Sequence, residues 1–342
     1  MLDDQNFISK SDKSDALGLA SQNAKQLAYE YNLAKICESS DIDNIVVSGM
    51  GGSALGPSFV KPWLSLELPY EIVKDYDLPE YVGERTLVIV SSFSGNTEET
   101  LSCLDQAEAR QAKIVCIAGG GQLKQRAEQA GHTFIQLPDC PQPRFAAFYS
   151  FKAVVTVLVA SGVVASERLD EMSSASSFLV EQTKKITKDV PTAENPAKKL
   201  ALEIMGKSPV IYSGSLLVAA AYKWKISFNE NAKNVAWRGV YPEFNHNEFV
   251  GWTSHPNDKP YAVIDLRSSF DHPQVAKRFE ISDRLLSGQR PKAQTVNAVG
   301  STELEQLVWT ITFGDFVTLY VAILNEVDPT PVDLVERLKK EL

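Results

Sequence analysis

The chain has 342 residues, too many for one ordinary hydrophobic core and comfortable for two domains of typical size. With 44% hydrophobic and 23% charged residues, it has the make-up of a globular protein and not of a disordered or fibrous one. A formal net charge of −9 makes nucleic acid and anionic membrane poor partners, and an anionic substrate would need local donors to overcome the overall field.

The first fifteen residues are polar and acidic, with no apolar signal-peptide core. Residues 14–38 show helical spacing through Leu17, Leu27, Leu33 and Ile36. A β-branched run at 44–48 (NIVVS) then enters a glycine cluster and a helix over 53–64. A second unit follows: the strand 86–91 (TLVIVS), a Ser/Gly/Asn loop and a helix over 97–111. A third has the strand 113–118 (KIVCIA), three glycines and a helix to about residue 130, and a fourth strand covers 133–137. Such alternation predicts a mostly parallel sheet flanked by helices. Residues 146–164 predict a buried helix and 166–195 a charged, mostly helical connector.

The alternation restarts with strands at 209–213, 261–266 and 293–299, and helices over 219–231, 304–324 and 331–342. The halves form a faint repeat, VVSGMGGSALG against VIYSGSLLVAA and LVIVSSFSGNTEET against AVIDLRSSFDHPQV. The expected organisation is therefore an N-terminal domain at 1–160, a connector at 161–195 and a second domain at 196–342. The longest apolar run, 153–165, is broken by Thr156, Ser161 and Gly162, so no bilayer span is expected. Cys37, Cys103, Cys116 and Cys140 lie far apart and read as buried thiols of a reducing compartment, which places the chain in the cytoplasm.

Two loops carry chemistry. Ser48 to Ala54 (SGMGGSA) joins a strand to a helix; by itself it fits a tight capped turn as well as a dinucleotide fingerprint with Asp75 or Asp77 as its acidic partner. Ser91 to Thr100 (SSFSGNTEET) sets hydroxyls and a Gly-Asn pair between a buried strand and a helix start, where unpaired N–H groups collect positive potential. Thr97 could simply cap that helix, but this explains one hydroxyl and not three. Together the loops predict a phosphate cage from Gly51, Gly52, Ser53, Ser92, Ser94 and Thr97. The second half lacks the Ser-Gly-Asn-Thr loop, so only the first should hold phosphate.

GMGGSA followed by SSFSGNTEET resembles the sugar isomerase (SIS) domain, and the spacing of the later segments resembles the bifunctional phosphoglucose/phosphomannose isomerases of the glucose-6-phosphate isomerase superfamily. The resemblance covers nearly the whole chain and implies an α/β fold of two doubly wound SIS-type domains. It also implies an aldose–ketose isomerase acting on glucose 6-phosphate, and on mannose 6-phosphate, through a cis-enediol.

Moving a proton between C1 and C2 requires a base, a donor for the enediolate oxygens and a relay for ring opening. No HExxH motif or clustered His/Cys set offers a metal site, and no cofactor is expected. Glu230 ends a helix in FNENAK and, taken alone, reads as a solvated carboxylate; His246 lies in a polar loop, PEFNHNE, where histidines are more often functional. Arg144, in PQPRF, could pair with a carboxylate, and Lys339 and Lys340 could be solvated tail residues. The resemblance makes Glu230 the single base, His246 the ring-opening group supplied by the neighbouring subunit of a homodimer, and Arg144 the stabiliser of the enediolate. It also brings a lysine of the last helix, Lys339 or Lys340 with Lys339 the better match, over the sugar, and puts Thr330 near a threonine that admits the second sugar. Three rivals remain open: another SIS-domain sugar-phosphate isomerase or one restricted to glucose 6-phosphate, a sugar-phosphate sensor with no catalysis, and a nicotinamide-dependent dehydrogenase built on Gly49 to Ala54.

Overall fold

The computed structural model describes residues 1–341, apart from the Lys340 side chain. Contacts divide the chain into two compact units, one Asn23–Ser177 and the other Met1–Gln22 with Phe178–Leu342.

In the unit Asn23–Ser177, five parallel strands, β1 (Asn44–Ser48), β2 (Tyr70–Val73), β3 (Thr86–Ser92), β4 (Lys113–Ala118) and β5 (Thr133–Gln136), lie in the order β2-β1-β3-β4-β5. Every residue of β3 is buried, which is why TLVIVSS reads as an unbroken run and not as an alternation. The helices are α1 (Leu55–Trp63), α2 (Glu98–Ala109), α3 (Gly121–Ala130) and α4 (Ala147–Ala160). Parallel strands need crossovers, and these helices supply them. The boundary between the units falls within α5 (Glu167–Thr183).

In the other unit, β6 (Ser208–Ser213), β7 (Trp237–Val240), β8 (Tyr261–Arg267) and β9 (Gln294–Asn297) are parallel and ordered β7-β6-β8-β9. This is the order of the first four strands of the other sheet, so the faint sequence repeat is a repeat of topology. Its helices are α6 (Pro196–Ile204), α7 (Val218–Glu230), α8 (Pro273–Leu285), α9 (Glu303–Leu324) and α10 (Asp333–Glu341). Helix α9 opens with a capping box between Thr302 and Glu305 and is buried along nearly its whole length. By length and composition alone α9 could cross a membrane, which the count of apolar runs missed, but it lies inside the protein as a core helix. Within this core the Lys223 ammonium pairs with Asp315 and donates to Ser227 Oγ at 2.9 Å, so a charge with no solvent exposure keeps its partners.

Three features depart from the sequence reading. The edge strands β2 and β7 were not foreseen. The helix expected over 14–38 breaks into Ala16–Ala20 and Asn23–Leu27, after which Tyr29 packs edge-on against Tyr31 and Tyr149 and Ile36 N–H bonds Ala160. Tertiary contacts there override the helical period. Residues 1–22 group with the C-terminal unit, where Asp3 accepts from Lys198 and Thr192, Lys10 pairs with Glu326 and Lys188 pairs with Asp15.

Candidate active site

In the unit Asn23–Ser177 three turns converge beyond the carboxyl ends of β1 and β3, where open parallel sheets place their ligand sites. The turn Gly51–Ala54 and the loop after β3 are bonded to each other: Phe93 N–H donates to Ser53 Oγ at 2.9 Å, and Ser91 Oγ donates to the Ser53 carbonyl at 3.2 Å. The third turn, Pro143–Ala146, comes so close that a Cβ on Gly52 would lie 2.7 Å from Pro143 Cβ and 2.8 Å from Arg144 N. Only glycine fits there. Gly51 has φ +48°, faces open space and is exposed, so its amide borders solvent.

The loop after β3 is wound tightly. Gly95, at φ +70°, lies so close to Gly120 that a side chain would strike the Gly120 carbonyl. Ser92 is buried; its hydroxyl accepts from Gly95 N–H at 3.1 Å and bonds the Thr97 hydroxyl at 2.8 Å. Thr97 occupies the N-cap position of α2, yet its side chain caps nothing. The first-turn amides of α2 therefore receive no side-chain acceptor from it, and the helix start stays open to an external anion. Thr97 is the N-cap residue, but its hydroxyl makes no capping bond. Ser94 is exposed and accepts from Asn96 N–H at 3.2 Å, while Asn96 Oδ1 accepts from Gln122 N–H at 3.0 Å. Ser94 is exposed and Ser53 and Thr97 are half-buried, whereas Ser92 is buried and bonds Thr97.

Arg144 is buried, with 1% of its surface exposed, and its guanidinium lies 4.6 Å from the centre of the Phe145 ring. Gln26 anchors the turn by donating to the Phe145 carbonyl at 2.6 Å. Burial pushes the nearby Cys140 thiol up, opposed by the Gln142 amide and the positive charge of Arg144. All four cysteines are free thiols; Cys103 and Cys116 are buried, and Cys37 and Cys140 are partly exposed.

The remaining expected residues lie in the unit Phe178–Leu342. Glu230 is the last residue of α7 and half-buried. Its segment is fixed from several sides: Lys233, at φ +53°, donates to the carbonyls of Glu230 at 2.6 Å and Pro331 at 2.8 Å, and Asn231 Nδ2 donates to Thr318 at 3.0 Å. His246 ends a short 3-10 turn, Glu243–His246, and is exposed. Lys339, on the exposed helix α10, pairs with Glu336 one turn earlier at 2.8 Å. The Lys340 side chain lies outside the described residues. Thr330 is buried, and its N–H donates to Asp328 at 3.0 Å. Among the described residues no three His, Cys, Asp or Glu side chains cluster as metal ligands.

The matching family models are the SIS domain over residues 40–164 and the bacterial phospho-glucose isomerase C-terminal SIS domain over residues 193–342. A bifunctional phosphoglucose/phosphomannose isomerase from Caldicellulosiruptor bescii is 37% identical over 326 residues, covering 93% of this chain and 95% of the relative. The chain belongs to the bifunctional phosphoglucose/phosphomannose isomerase family. Another member of that family, from Aquifex aeolicus, is 33% identical over 87% of this chain and 90% of its own. In three dimensions, a glucose-6-phosphate isomerase like protein from Thermus thermophilus matches with a TM-score of 0.68 at 20% identity, covering 100% of this chain and 99% of that one.

In this member of the bifunctional isomerase family the sequence reading missed what holds the His246 loop. Phe244 is buried against Tyr212 and Tyr241, with ring centres 4.5 and 5.0 Å away. The Tyr212 hydroxyl donates to Glu248 and accepts from Trp252 Nε1 at 3.0 Å; burial, with the Glu248 carboxylate beside it, pushes the Tyr212 phenol far up. Two buried ionisable groups also lie in this core. Asp265 is 3% exposed, and burial pushes its carboxyl up to about 6 although Arg290, itself 7% exposed, pulls the other way. The one signal for it in the sequence is the aspartate inside the otherwise apolar YAVIDL.

Proposed function

We infer that the chain is an aldose–ketose isomerase that interconverts glucose 6-phosphate, and mannose 6-phosphate, with fructose 6-phosphate. The reading rests on kinship along nine-tenths of the chain with isomerases named for both sugars. The geometric observation that carries it is Thr97, an N-cap residue whose hydroxyl leaves its own helix uncapped beside the Gly51–Ser53 turn. Neutral donors clustered at a helix start suit a phosphate dianion.

In the proposed mechanism the amides of Gly51 and Gly52, with the hydroxyls of Ser53, Ser94 and Thr97, hold the phosphate, and Ser92 orients Thr97. His246, supplied by the neighbouring subunit of a homodimer, protonates the ring oxygen as the sugar opens. The Glu230 carboxylate then takes the proton from C2, giving a planar cis-enediol, and returns it to C1. Arg144 stabilises the enediolate, and Lys339 closes over the sugar after leaving Glu336. Mannose 6-phosphate differs from glucose 6-phosphate only at C2, so rotation about C2–C3 presents either epimer to the same base. Thr330 is proposed to make room for the second epimer, and the cytoplasm is the proposed location.

Fructose 6-phosphate formation from each aldose phosphate tests this directly, with transfer of label from C2 to C1 as the mark of a single base. Turnover of glucose 6-phosphate alone would remove the second specificity; turnover of neither would overturn the reading. Absence of label transfer would remove the single base.

A further inference from the structure

We propose that Asn245 is a positioning residue for ring opening, clamped by Arg278 and Ser282 so that the neighbouring His246 meets the sugar in one orientation. This rests on the role given to His246 above and adds a group that never touches substrate.

The His246 ring is exposed and has no hydrogen-bond partner among the described residues, so its aim depends on the backbone that carries it. That backbone is pinned through its neighbours. Asn245 Nδ2 donates to Ser282 Oγ at 2.8 Å, and Asn245 Oδ1 accepts from Arg278 Nη1 at 3.2 Å. Arg278 and Ser282 are four residues apart on α8, one turn, so both ends of a single amide meet one helix face. Arginine only donates, which fixes which end of the amide faces it. Helix α8 is itself held to the loop by Phe279, whose ring centre is 4.2 Å from that of Tyr241. On the far side Asn247 accepts from Glu248 N–H and donates to Glu243, each at 2.5 Å. A histidine without its own hydrogen bond, between two pinned asparagines, is aimed by them. Asn245 is the one tied to a distant helix.

The test compares fructose 6-phosphate with 5-deoxyfructose 6-phosphate, which lacks the 5-hydroxyl and cannot close its furanose ring. Asn245→Ala should lower kcat/KM for fructose 6-phosphate by about 10- to 100-fold while the open-chain ketose changes by less than about 2-fold. Asn245→Asp, which still accepts from Arg278 and takes the Ser282 hydroxyl as donor, should restore most of the loss. Equal losses on both substrates, or none on fructose 6-phosphate, would overturn the proposal. His246→Ala separates the two layers. If it shows the selective loss and Asn245→Ala does not, the clamp alone falls; if His246→Ala is not selective either, the ring-opening role of His246 falls and the clamp with it.

Discussion

The loops that follow β3 and β8 occupy the same place in two sheets of the same strand order, and they have opposite contents. After β3, the Ser92, Ser94 and Thr97 hydroxyls ring an uncapped helix start, and among the described residues no carboxylate bonds to them. After β8 the chain fills its own hollow. Asp271 accepts from Ser268 N–H at 2.9 Å and lies so close to Gly214 that a side chain there would strike its carboxylate. Gln306 bonds Ser268 and Ser269, and His272 Nδ1 caps α8 by accepting from Gln274 N–H at 3.1 Å. Where one loop leaves its hydroxyls without a carboxylate partner among the described residues, the other has an acidic side chain built into the space. Two frames of one strand order thus differ in what fills the loop: one lacks a carboxylate partner and the other is closed by its own side chains.

If the halves divide the labour, holding in one and chemistry in the other, their variants should separate in kinetics. Glu230→Gln should lower kcat by about 1000-fold, near 4 kcal/mol, with KM within a few-fold; a large KM change instead would break the division. Asp265 sharpens the comparison through stability, because the repeat sets it against Val90, a buried apolar residue in β3. Its folded pKa of about 6 exceeds the ordinary 3.8, so between these values the folded state binds the extra proton. The stability it lends is full below pH 3.8 and is lost as pH rises through 6. Denaturant unfolding should therefore show Asp265→Asn gaining about 2 kcal/mol on the native chain between pH 4 and pH 7. A constant difference would refute the shift. Thr97→Ala should raise KM about 10-fold, near 1.4 kcal/mol, and leave kcat within about 3-fold, measured on glucose 6-phosphate. Asp271→Ala should leave KM unchanged, and a raised KM would mean that the second loop also holds substrate.

Much of this was legible. Fully buried β-branched runs such as TLVIVSS announced parallel strands, and the first loop stood out because its hydroxyls outnumbered what one helix cap needs. Legibility failed wherever an element owes its form to distant partners. The strand YEIV is short and half exposed, and it is a strand because β1 pairs with it. Asp3 and Lys10 look like a loose acidic-basic end, yet they meet Lys198 and Glu326, some two and three hundred residues away. Ser92 lies buried behind Thr97 and bonds it, which hydroxyl spacing alone does not reveal. Asn245 gave no sign at all, because its partners lie on a helix more than thirty residues further on.

Lys233 has a mechanical consequence. A single ammonium clasps carbonyl oxygens at the end of α7 and at Pro329 and Pro331, two stretches about a hundred positions apart in the chain. The stalk leading to α10 is thereby stapled to the segment that carries Glu230. Any swing of the last helix must pivot beyond Pro331, so it can travel without dragging the carboxylate out of register.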